Sequence, residues 1–149
     1  MFEYAINTIM QEYYAQIDFQ ERDILERLRN TFLLKFELTK KYPSIFNFVS
    51  SAFFEKDPVV AARISECSNQ LYFDAQKEIL KNIDLSLFKA NLNTETAVNI
   101  ILFTLRGYSE SQTLPEKSIE DYSKEQARYI REIDEYILML RTAFYKEDK

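Results

Sequence analysis

The chain contains no histidine among its 149 residues, and this absence excludes most of the catalytic chemistry that a small protein could perform. Histidine is the usual general base near neutral pH and the commonest metal-binding side chain, so Ser-His-Asp triads, Cys-His pairs and HExxH zinc sites cannot occur. A single glycine also excludes glycine-rich phosphate-binding loops. We therefore expect a protein that is not an enzyme and that holds no metal or cofactor.

The reactive side chains that remain have simple structural interpretations. Cys67 lies on the apolar stripe of a helix and is most simply a small buried side chain, with a redox or ligand-contacting role as the alternative. The carboxylates of "SIEDY" and "REIDEY" are typical of solvated helix faces. Because Cys67 is the only cysteine, no internal disulfide can form, and a cytoplasmic location fits the composition.

Polar side chains interrupt apolar helices in "AVNIILF", which contains Asn99, and in "SNQLYFDAQ", which contains Gln70 and Tyr72. A buried amide or phenol without a hydrogen-bond partner costs about 1–3 kcal/mol. The hydrogen-bond partner of these groups is either another protein group or a small molecule in a cavity. The walls of such a cavity would be aromatic, and Phe73 is one of the residues that would form them. The second hypothesis gives these candidate ligand-binding residues: Tyr13, Phe32, Phe36, Cys67, Leu71, Tyr72, Asn99 and Phe103.

The elements that must position these residues are helices. With one glycine and three prolines the chain has little material for hairpin turns, and its apolar residues recur at helical spacing. We predict an all-α fold, a single domain of about six helices. The predicted helix starts are, in chain order, Met1, Gln20, Pro43, Pro58, Asn93 or Thr94, and Ser118. Asp18 and Glu21 form a capping box for the second helix, and Asp57 caps the fourth. A short turn is predicted near Leu87, and the fifth helix is predicted to end before Leu114-Pro115.

Two of these helices carry the most informative patterns. The later half of the second helix is apolar nearly all round, so we expect it to run through the middle of the domain. The fourth helix carries a regular apolar stripe formed by Val60, Ile64, Cys67, Leu71, Ala75 and Ile79.

The single glycine, Gly107, falls inside the fifth helix, where it costs about 0.5–1 kcal/mol relative to alanine. We interpret it as a notch that another helix approaches closely, either in the same chain or in a second copy. The last helix favours the second copy, because Tyr129, Tyr136, Met139 and Tyr145 add apolar surface beside its main seam. A four-helix interface between two copies is then expected, with these contact residues: Ile100, Thr104, Gly107, Tyr108, Tyr129, Ile133 and Ile137.

The charge balance bears on the partners of the chain. It carries 19 Lys and Arg against 24 Asp and Glu, a formal net charge of −5. Nucleic-acid binding needs a basic surface that neutralises phosphates, so we expect no DNA binding by this chain alone. No apolar run approaches the 18 or so residues that a membrane span needs, so no membrane partner is expected.

Three segments, "EYAINTIMQEYYAQID", "ERDILERLRNTFLLKFELTKKYPSIFNF" and "NLNTETAVNIILFTLRGYSE", resemble the C-terminal regulatory domain of TetR-family transcriptional repressors. The resemblance extends over most of the chain. It implies that residues 1–149 form one regulatory domain, whose last two long helices make a dimeric four-helix bundle and whose preceding helices enclose a ligand cavity. The family's N-terminal helix-turn-helix is missing, so DNA would be bound only through that absent domain.

The resemblance therefore implies an effector-binding and homodimerisation domain. A small lipophilic or aromatic effector would shift the first helix, from Met1 to about Ile17, and change the spacing of the DNA-binding heads in a full-length repressor. The alternative is a helical protein–protein interaction module with a solid core and no small-molecule ligand.

Overall fold

The computed structural model describes residues 1–112 and 119–147, and these residues fold as α-helices without a β-strand. The helices are α1 (Phe2–Gln16), α2 (Ile24–Lys41), α3 (Pro43–Ala52), α4 (Pro58–Ile79), α5 (Thr94–Ser111), α6 (Ile119–Lys124) and α7 (Gln126–Phe144). A short 3₁₀ turn at Leu85–Leu87 lies between α4 and α5. The prediction of a single all-α domain is confirmed.

Several helix starts follow the predicted capping residues. Pro43 begins α3, the Asp57 carboxylate accepts from the backbone amides of Val59 and Val60 at the start of α4, and Asn93 accepts from Thr96 at the start of α5. Each side chain satisfies an amide that has no partner inside its helix. The predicted Ser118 start and the Leu114-Pro115 stop lie outside the described residues.

The start of α2 differs from the prediction. Asp18 and Glu21 accept from the amides of Gln20 and Asp23, so they stabilise two successive turns instead of capping a helix. Asp23 is the actual cap, and its carboxylate accepts from the amide of Leu25 at 2.9 Å. The last helix also differs, because a turn at Glu125 divides it into α6 and α7.

Helix α2 is central, as its apolar pattern indicates, and contacts α1, α3, α4, α6 and α7. Its buried side chains join those of α5 and α7 in a large apolar cluster. A smaller cluster joins Ala5 and Ile9 of α1 to Val49 of α3. The core is therefore divided into two parts, and α4 passes beside both with only Ile79 buried among its 22 residues.

Buried polar groups fasten the ends of the elements together. Arg27 is 1% exposed and donates to the carbonyl oxygens of Glu21, Ile79, Lys81 and Phe19, which ties the start of α2 to the end of α4. At the C-terminal end, the Tyr145 hydroxyl donates to Asp23 at 2.5 Å. The contacts of Arg27 with Ile79 and Lys81, and that of Tyr145 with Asp23, join segments that are far apart in sequence, so tertiary packing creates them.

Candidate ligand-binding cleft

A cleft with a volume of about 440 Å³ lies among α1, α2, α4 and α5. This volume is within the range of about 300–1,000 Å³ typical of small-molecule sites. Both apolar clusters contribute to its walls, through Ile6 on the α1 side and Leu28, Leu102 and Leu105 on the α2 and α5 sides. The cleft therefore lies between the two apolar clusters, where their side chains do not pack against each other.

The apolar stripe of α4 explains why this space is open. Leu71 and Ala75 on that stripe are half-buried and line the cleft, together with the buried Ile79 at the end of the helix. On the opposite wall lie Met10 of α1 and Phe32 of α2. A helix that turns its apolar face towards a cleft leaves that face available for a ligand, because close packing against protein side chains is incomplete there.

Polar groups in the lining come from α1, α2, α4 and α5. The Tyr13 hydroxyl donates to the carbonyl oxygen of Thr31 at 3.4 Å, and burial raises the pKa of Tyr13 to about 12. The Lys35 ammonium lies 3.4 Å from the Ser109 hydroxyl, and desolvation lowers the pKa of Lys35 below its ordinary value. The buried Ser68 hydroxyl also belongs to the lining and has no hydrogen-bond partner among the residues that the structure describes.

A charged pair marks the more exposed part of the lining. The Arg106 Nε donates to the Glu110 carboxylate at 2.7 Å, and Glu110 is exposed whereas Arg106 is half-buried. The Arg106 guanidinium also lies 3.8 Å from the ring centre of Tyr72, a distance suited to a cation–π contact. This arrangement fixes Tyr72 as an aromatic wall, and burial raises the pKa of its hydroxyl.

The structure brings together four of the predicted ligand-binding residues, since Tyr13, Phe32, Leu71 and Tyr72 all line the cleft. The other four lie elsewhere, because the sequence pattern does not say which side of a helix faces an opening. Phe36 is buried and stacks on Tyr129, with ring centres 5.9 Å apart. Asn99 is half-buried away from the cleft, and Phe103 is 69% exposed on the outer face of α5.

Cys67 lines a different groove. This groove, of about 610 Å³, lies between α1, α3 and α4 and includes Phe2, Val60 and Ile64. Burial raises the pKa of the Cys67 thiol, so it remains protonated and weakly nucleophilic near neutral pH. The position agrees better with a half-buried apolar side chain than with a reactive one.

The predicted dimer-contact residues divide into two groups. Tyr129, Ile133 and Ile137 are at most 5% exposed, because this side of α7 packs on the chain's own core. They are not part of the exposed surface of α7, and their contact with a partner stays a prediction. Ile100 and Gly107 are exposed on α5, with Thr104 and Tyr108 half-buried beside them. Tyr108 donates a hydrogen bond to Glu132 of α7.

The exposed group extends across two helices. Tyr136 and the 74% exposed Met139 lie on α7, and the ring centre of Tyr136 lies 5.1 Å from that of Tyr108 on α5. We call the surface formed by Ile100, Phe103, Gly107, Tyr136 and Met139 the α5–α7 face. A Cβ added at Gly107 would have no described atom within 4 Å, so none of the described helices of the same chain fills the notch.

Sequence reasoning missed the polar members of the cleft. Lys35 looked like an interruption of an apolar helix, and Ser68 sat beside the apolar stripe of α4 without a distinguishing signal. The position of Lys35 could have been noticed, because a lysine within a nearly all-apolar half-helix cannot easily reach solvent. Ser68 could not, since only the placement of α4 relative to the other helices decides what it faces.

Comparison of the chain with protein-family models, with curated proteins and with solved structures finds no match. Within residues 1–112 and 119–147, no group of three or more His, Cys, Asp or Glu side chains is arranged to hold a metal ion. None of the helices in that same part of the chain combines the length and the apolar character required to cross a membrane.

Proposed function

We propose that this chain is the effector-binding and homodimerisation domain of a transcription regulator of the TetR type, without catalytic activity. The observation that carries the proposal is the cleft among α1, α2, α4 and α5, whose walls include aromatic and aliphatic side chains together with the buried hydroxyl of Tyr13. Such a site suits a small lipophilic or aromatic molecule, since these sites bury most of the ligand against apolar walls.

The contribution of α1 to the cleft supports a mechanism for the response. Ile6, Met10 and Tyr13 of α1 line the cleft, yet only Ala5 and Ile9 of that helix are buried. An occupant that touches these side chains can favour one placement of α1 over another. DNA-binding heads joined to α1 in a full-length protein would then change their spacing.

The α5–α7 face supports pairing of two copies. It presents large apolar side chains on adjacent helices, together with the open notch at Gly107 into which a side chain of another copy could insert. Exposed apolar patches of this kind are typical of interaction surfaces. A two-fold axis through this face would place α5 and α7 of each copy in one four-helix interface.

The ligand proposal can be tested by thermal shift with a panel of lipophilic and aromatic compounds. A compound present at 100 times its Kd stabilises the folded state by about 2.7 kcal/mol, which raises Tm measurably. The matched variants are Leu71→Trp, which fills the cleft, and Leu85→Trp, which changes an exposed leucine outside it. We expect Leu71→Trp alone to abolish stabilisation by the compounds. Equal responses of the two variants would contradict binding in the cleft.

The dimer proposal is tested by sedimentation equilibrium with the variants Phe103→Glu and Phe73→Glu, which place the same charge on an exposed phenylalanine of α5 or of α4. We expect Phe103→Glu to produce monomers and Phe73→Glu to leave the association constant unchanged. Gly107→Leu should weaken association as well, because the added side chain occupies the notch. A wild-type protein that is monomeric at micromolar concentration would refute this part of the proposal.

A protein–protein interaction module is the second candidate function. The observation that favours it is the exposed apolar surface of the N-terminal half, which includes Phe48, Phe53, Phe54, Val59 and Val60. The two candidates are distinguished by the same compound panel: no stabilising compound, together with destabilisation of the folded protein by Leu71→Trp, would favour the module, because a solid core has no room for the larger side chain.

A further inference from the structure

We propose that helix α4 is the movable wall of the cleft, that it turns about its C-terminal end at Ile79, and that a contact between Tyr72 and Arg106 holds it closed. A small molecule in the cleft then fixes α4 in the closed position. Only this last step rests on the proposed function, namely that the cleft binds a small molecule. The pivot and the closing contact are properties of the free protein, and they identify the helix through which the site opens.

Most of α4 is not packed against the core. Ile79 is the one buried residue of this helix, and it belongs to the larger apolar cluster. In the part of the chain that the structure describes, residues 58–78 contribute neither a buried nor a partly buried member to either cluster. The main neighbour of α4 is α2, whereas α1 packs closely on both α2 and α3. The packing that opposes a displacement of α4 is therefore concentrated at its C-terminal end.

Open space lies on both sides of α4. The cleft of about 440 Å³ lies between its apolar stripe and the opposite wall, which includes Phe32 of α2 and Leu105 of α5. The groove of about 610 Å³ lies between α4 and the helices α1 and α3. Side chains packed at the density of a protein interior would hold a helix in place on either side. The unfilled volume leaves room for α4 to move towards the opposite wall and away from it.

The C-terminal end of α4 is held firmly. The Arg27 guanidinium donates to the carbonyl oxygens of Ile79 and Lys81, each at 2.6 Å. The segment after α4 is also fastened, because the Asp84 amide donates to the carbonyl oxygen of Arg22 at 2.8 Å. These hydrogen bonds join this end of α4 to the start of α2, and they make it the pivot.

The N-terminal end of α4 has weak connections to other elements. Among the described residues, its ion pair with another helix joins Arg63 to Glu3 at 4.0 Å. Both side chains are largely exposed, so this pair contributes little. Residues 53–60, which connect α3 to α4, are all exposed. The hydrogen bonds of residues 54–57 are made with residues no more than four positions away. This end can therefore move farther than the pivot.

One contact joins the middle of α4 to α5. The Arg106 guanidinium lies 3.8 Å from the ring centre of Tyr72, and both residues line the cleft. Glu110 orients the guanidinium by accepting from it at 2.7 Å. Within the described chain, no other hydrogen bond, ion pair or ring contact joins residues 64–78 to another helix. A cation–π contact at such a partly exposed site shifts an equilibrium by about two- to fivefold, so it closes the cleft without locking it.

A ligand supplies the packing that α4 lacks. Leu71 and Ala75 of α4 line one side of the cleft, and Phe32 lines the other. An apolar molecule that contacts both sides makes these contacts only when α4 is closed. Binding therefore shifts the population towards the closed position, by as much as the molecule prefers that position.

Double electron–electron resonance measures the movement with one spin label on α2 and one on α4. All variants carry Cys67→Ser, which removes the only native cysteine. One pair joins Asn30→Cys to Glu66→Cys, and the matched pair joins Asn30→Cys to Lys77→Cys, all at exposed positions. Position 66 lies about 20 Å from the pivot along the helix and position 77 about 3 Å, so a rotation of about 15° displaces them by about 5 Å and by less than about 1 Å. Labelled protein is mixed with an excess of unlabelled protein, so that contacts between copies add no distances.

In the free protein, we expect the distance distribution of the position-66 pair to be at least about twofold wider than that of the position-77 pair, because of its greater distance from the pivot. Saturation with 1-aminoanthracene, a neutral aromatic probe whose fluorescence reports binding, should narrow the position-66 distribution and leave the position-77 distribution unchanged.

The closing contact is tested in the position-66 pair. Arg106→Met should increase the population at long distances by about two- to fivefold, and Tyr72→Leu should do the same. Tyr72→Leu should have no further effect once Arg106→Met is present, because the two residues act through one contact. The control is Arg131→Met, which removes an exposed arginine of α7 outside the cleft and should change nothing. Circular dichroism establishes that each variant is folded.

The outcomes separate the parts of the proposal. Equal widths for the two pairs in the free protein overturn the pivot. Distributions that neither Arg106→Met nor Tyr72→Leu changes overturn the closing contact. Binding of 1-aminoanthracene without narrowing overturns closure on a ligand. A wide position-66 distribution together with no binding of the probe counts against the proposed function and supports the pivot, so the two failures are distinguishable.

Discussion

Replacement of Arg27 by methionine tests whether buried polar contacts hold the walls of the cleft together. The Arg27 guanidinium donates to the carbonyl oxygens of Ile79 and Lys81, each at 2.6 Å, of Glu21 at 2.8 Å and of Phe19 at 3.3 Å. Methionine keeps much of the apolar volume but donates no hydrogen bond. The substitution therefore leaves these carbonyl groups without the donor that joins α2 to the end of α4.

The magnitude follows from the number of bonds and from the cost of burying the charge. A hydrogen bond to a charged group contributes about 1.5–3 kcal/mol, so four of them would exceed 6 kcal/mol in total. Desolvation of the guanidinium offsets part of this sum, and loss of one partner from a buried charged network typically costs about 3–5 kcal/mol. For a domain of this size, we expect Tm to fall by about 10–15 °C.

Two further variants separate the loss of the four hydrogen bonds of Arg27 from the loss of a positive charge. Arg27→Lys keeps the charge but cannot reach all four oxygens from one ammonium, so about half of the loss, about 2 kcal/mol, is expected. Arg22→Met is the matched control, because Arg22 is exposed and donates one hydrogen bond, to Asn82 at 3.2 Å. Its unfolding free energy should change by less than about 0.5 kcal/mol.

The assay is reversible unfolding in guanidinium chloride, followed by circular dichroism, with thermal scans as a second measurement. The slope of the unfolding free energy against denaturant should be the same for all variants if the fold is retained. The reasoning would be refuted by a difference of less than about 1 kcal/mol between Arg27→Met and Arg22→Met, since the four contacts would then contribute little.

Three smaller predictions concern stability. Gly107→Ala should raise the unfolding free energy of the monomer by about 0.5–1 kcal/mol, because the added Cβ meets no described atom within 4 Å. Calorimetry at protein concentrations too low for dimers to form measures the change, and destabilisation would mean that the position is strained. Ser68→Ala should stabilise the free protein by about 1 kcal/mol and raise its Tm, because it removes a buried hydroxyl that has no partner among the described residues. A lower Tm would show that this hydroxyl makes a stabilising hydrogen bond. Burial raises the pKa values of Tyr13 and Tyr145 in the folded state, and the bond to Asp23 adds to the rise at Tyr145. The unfolded chain therefore loses these protons first, and the free energy of unfolding should fall as the pH rises above about 10. Tyr145→Phe should reduce this dependence on pH in unfolding titrations between about pH 8 and pH 11, and an unchanged dependence would argue against a shifted Tyr145.

The sequence alone determined the fold class and most helix starts, because these depend on interactions between residues that are near one another. Asp57 before Pro58 and Asn93 before the fifth helix act within one turn, so their capping role could be predicted without knowledge of the rest of the chain. The central position of α2 also followed from its own composition, since a helix that is apolar nearly all round must be covered on several sides.

The capping box at Asp18 and Glu21 shows the limit of such local reasoning. The two carboxylates accept from the amides of Gln20 and Asp23, so the same residue types that begin helices here hold turns. Asp23 begins α2 instead, where its carboxylate also accepts from Tyr145 near the other end of the chain. A contact across 122 positions gives no local signal from which that choice could be predicted.

Only the tertiary structure decided which faces are closed and which remain open. Ile133 and Phe103 are both apolar residues at helical spacing, yet Ile133 is 2% exposed and Phe103 is 69% exposed, because α7 turns its seam inwards and α5 turns Phe103 outwards. The same holds for the cleft, where the placement of α4 beside α2 brings Lys35, Leu71 and Ser68 to one space. Helical periodicity specifies that a stripe exists, whereas the relative placement of helices specifies what the stripe meets.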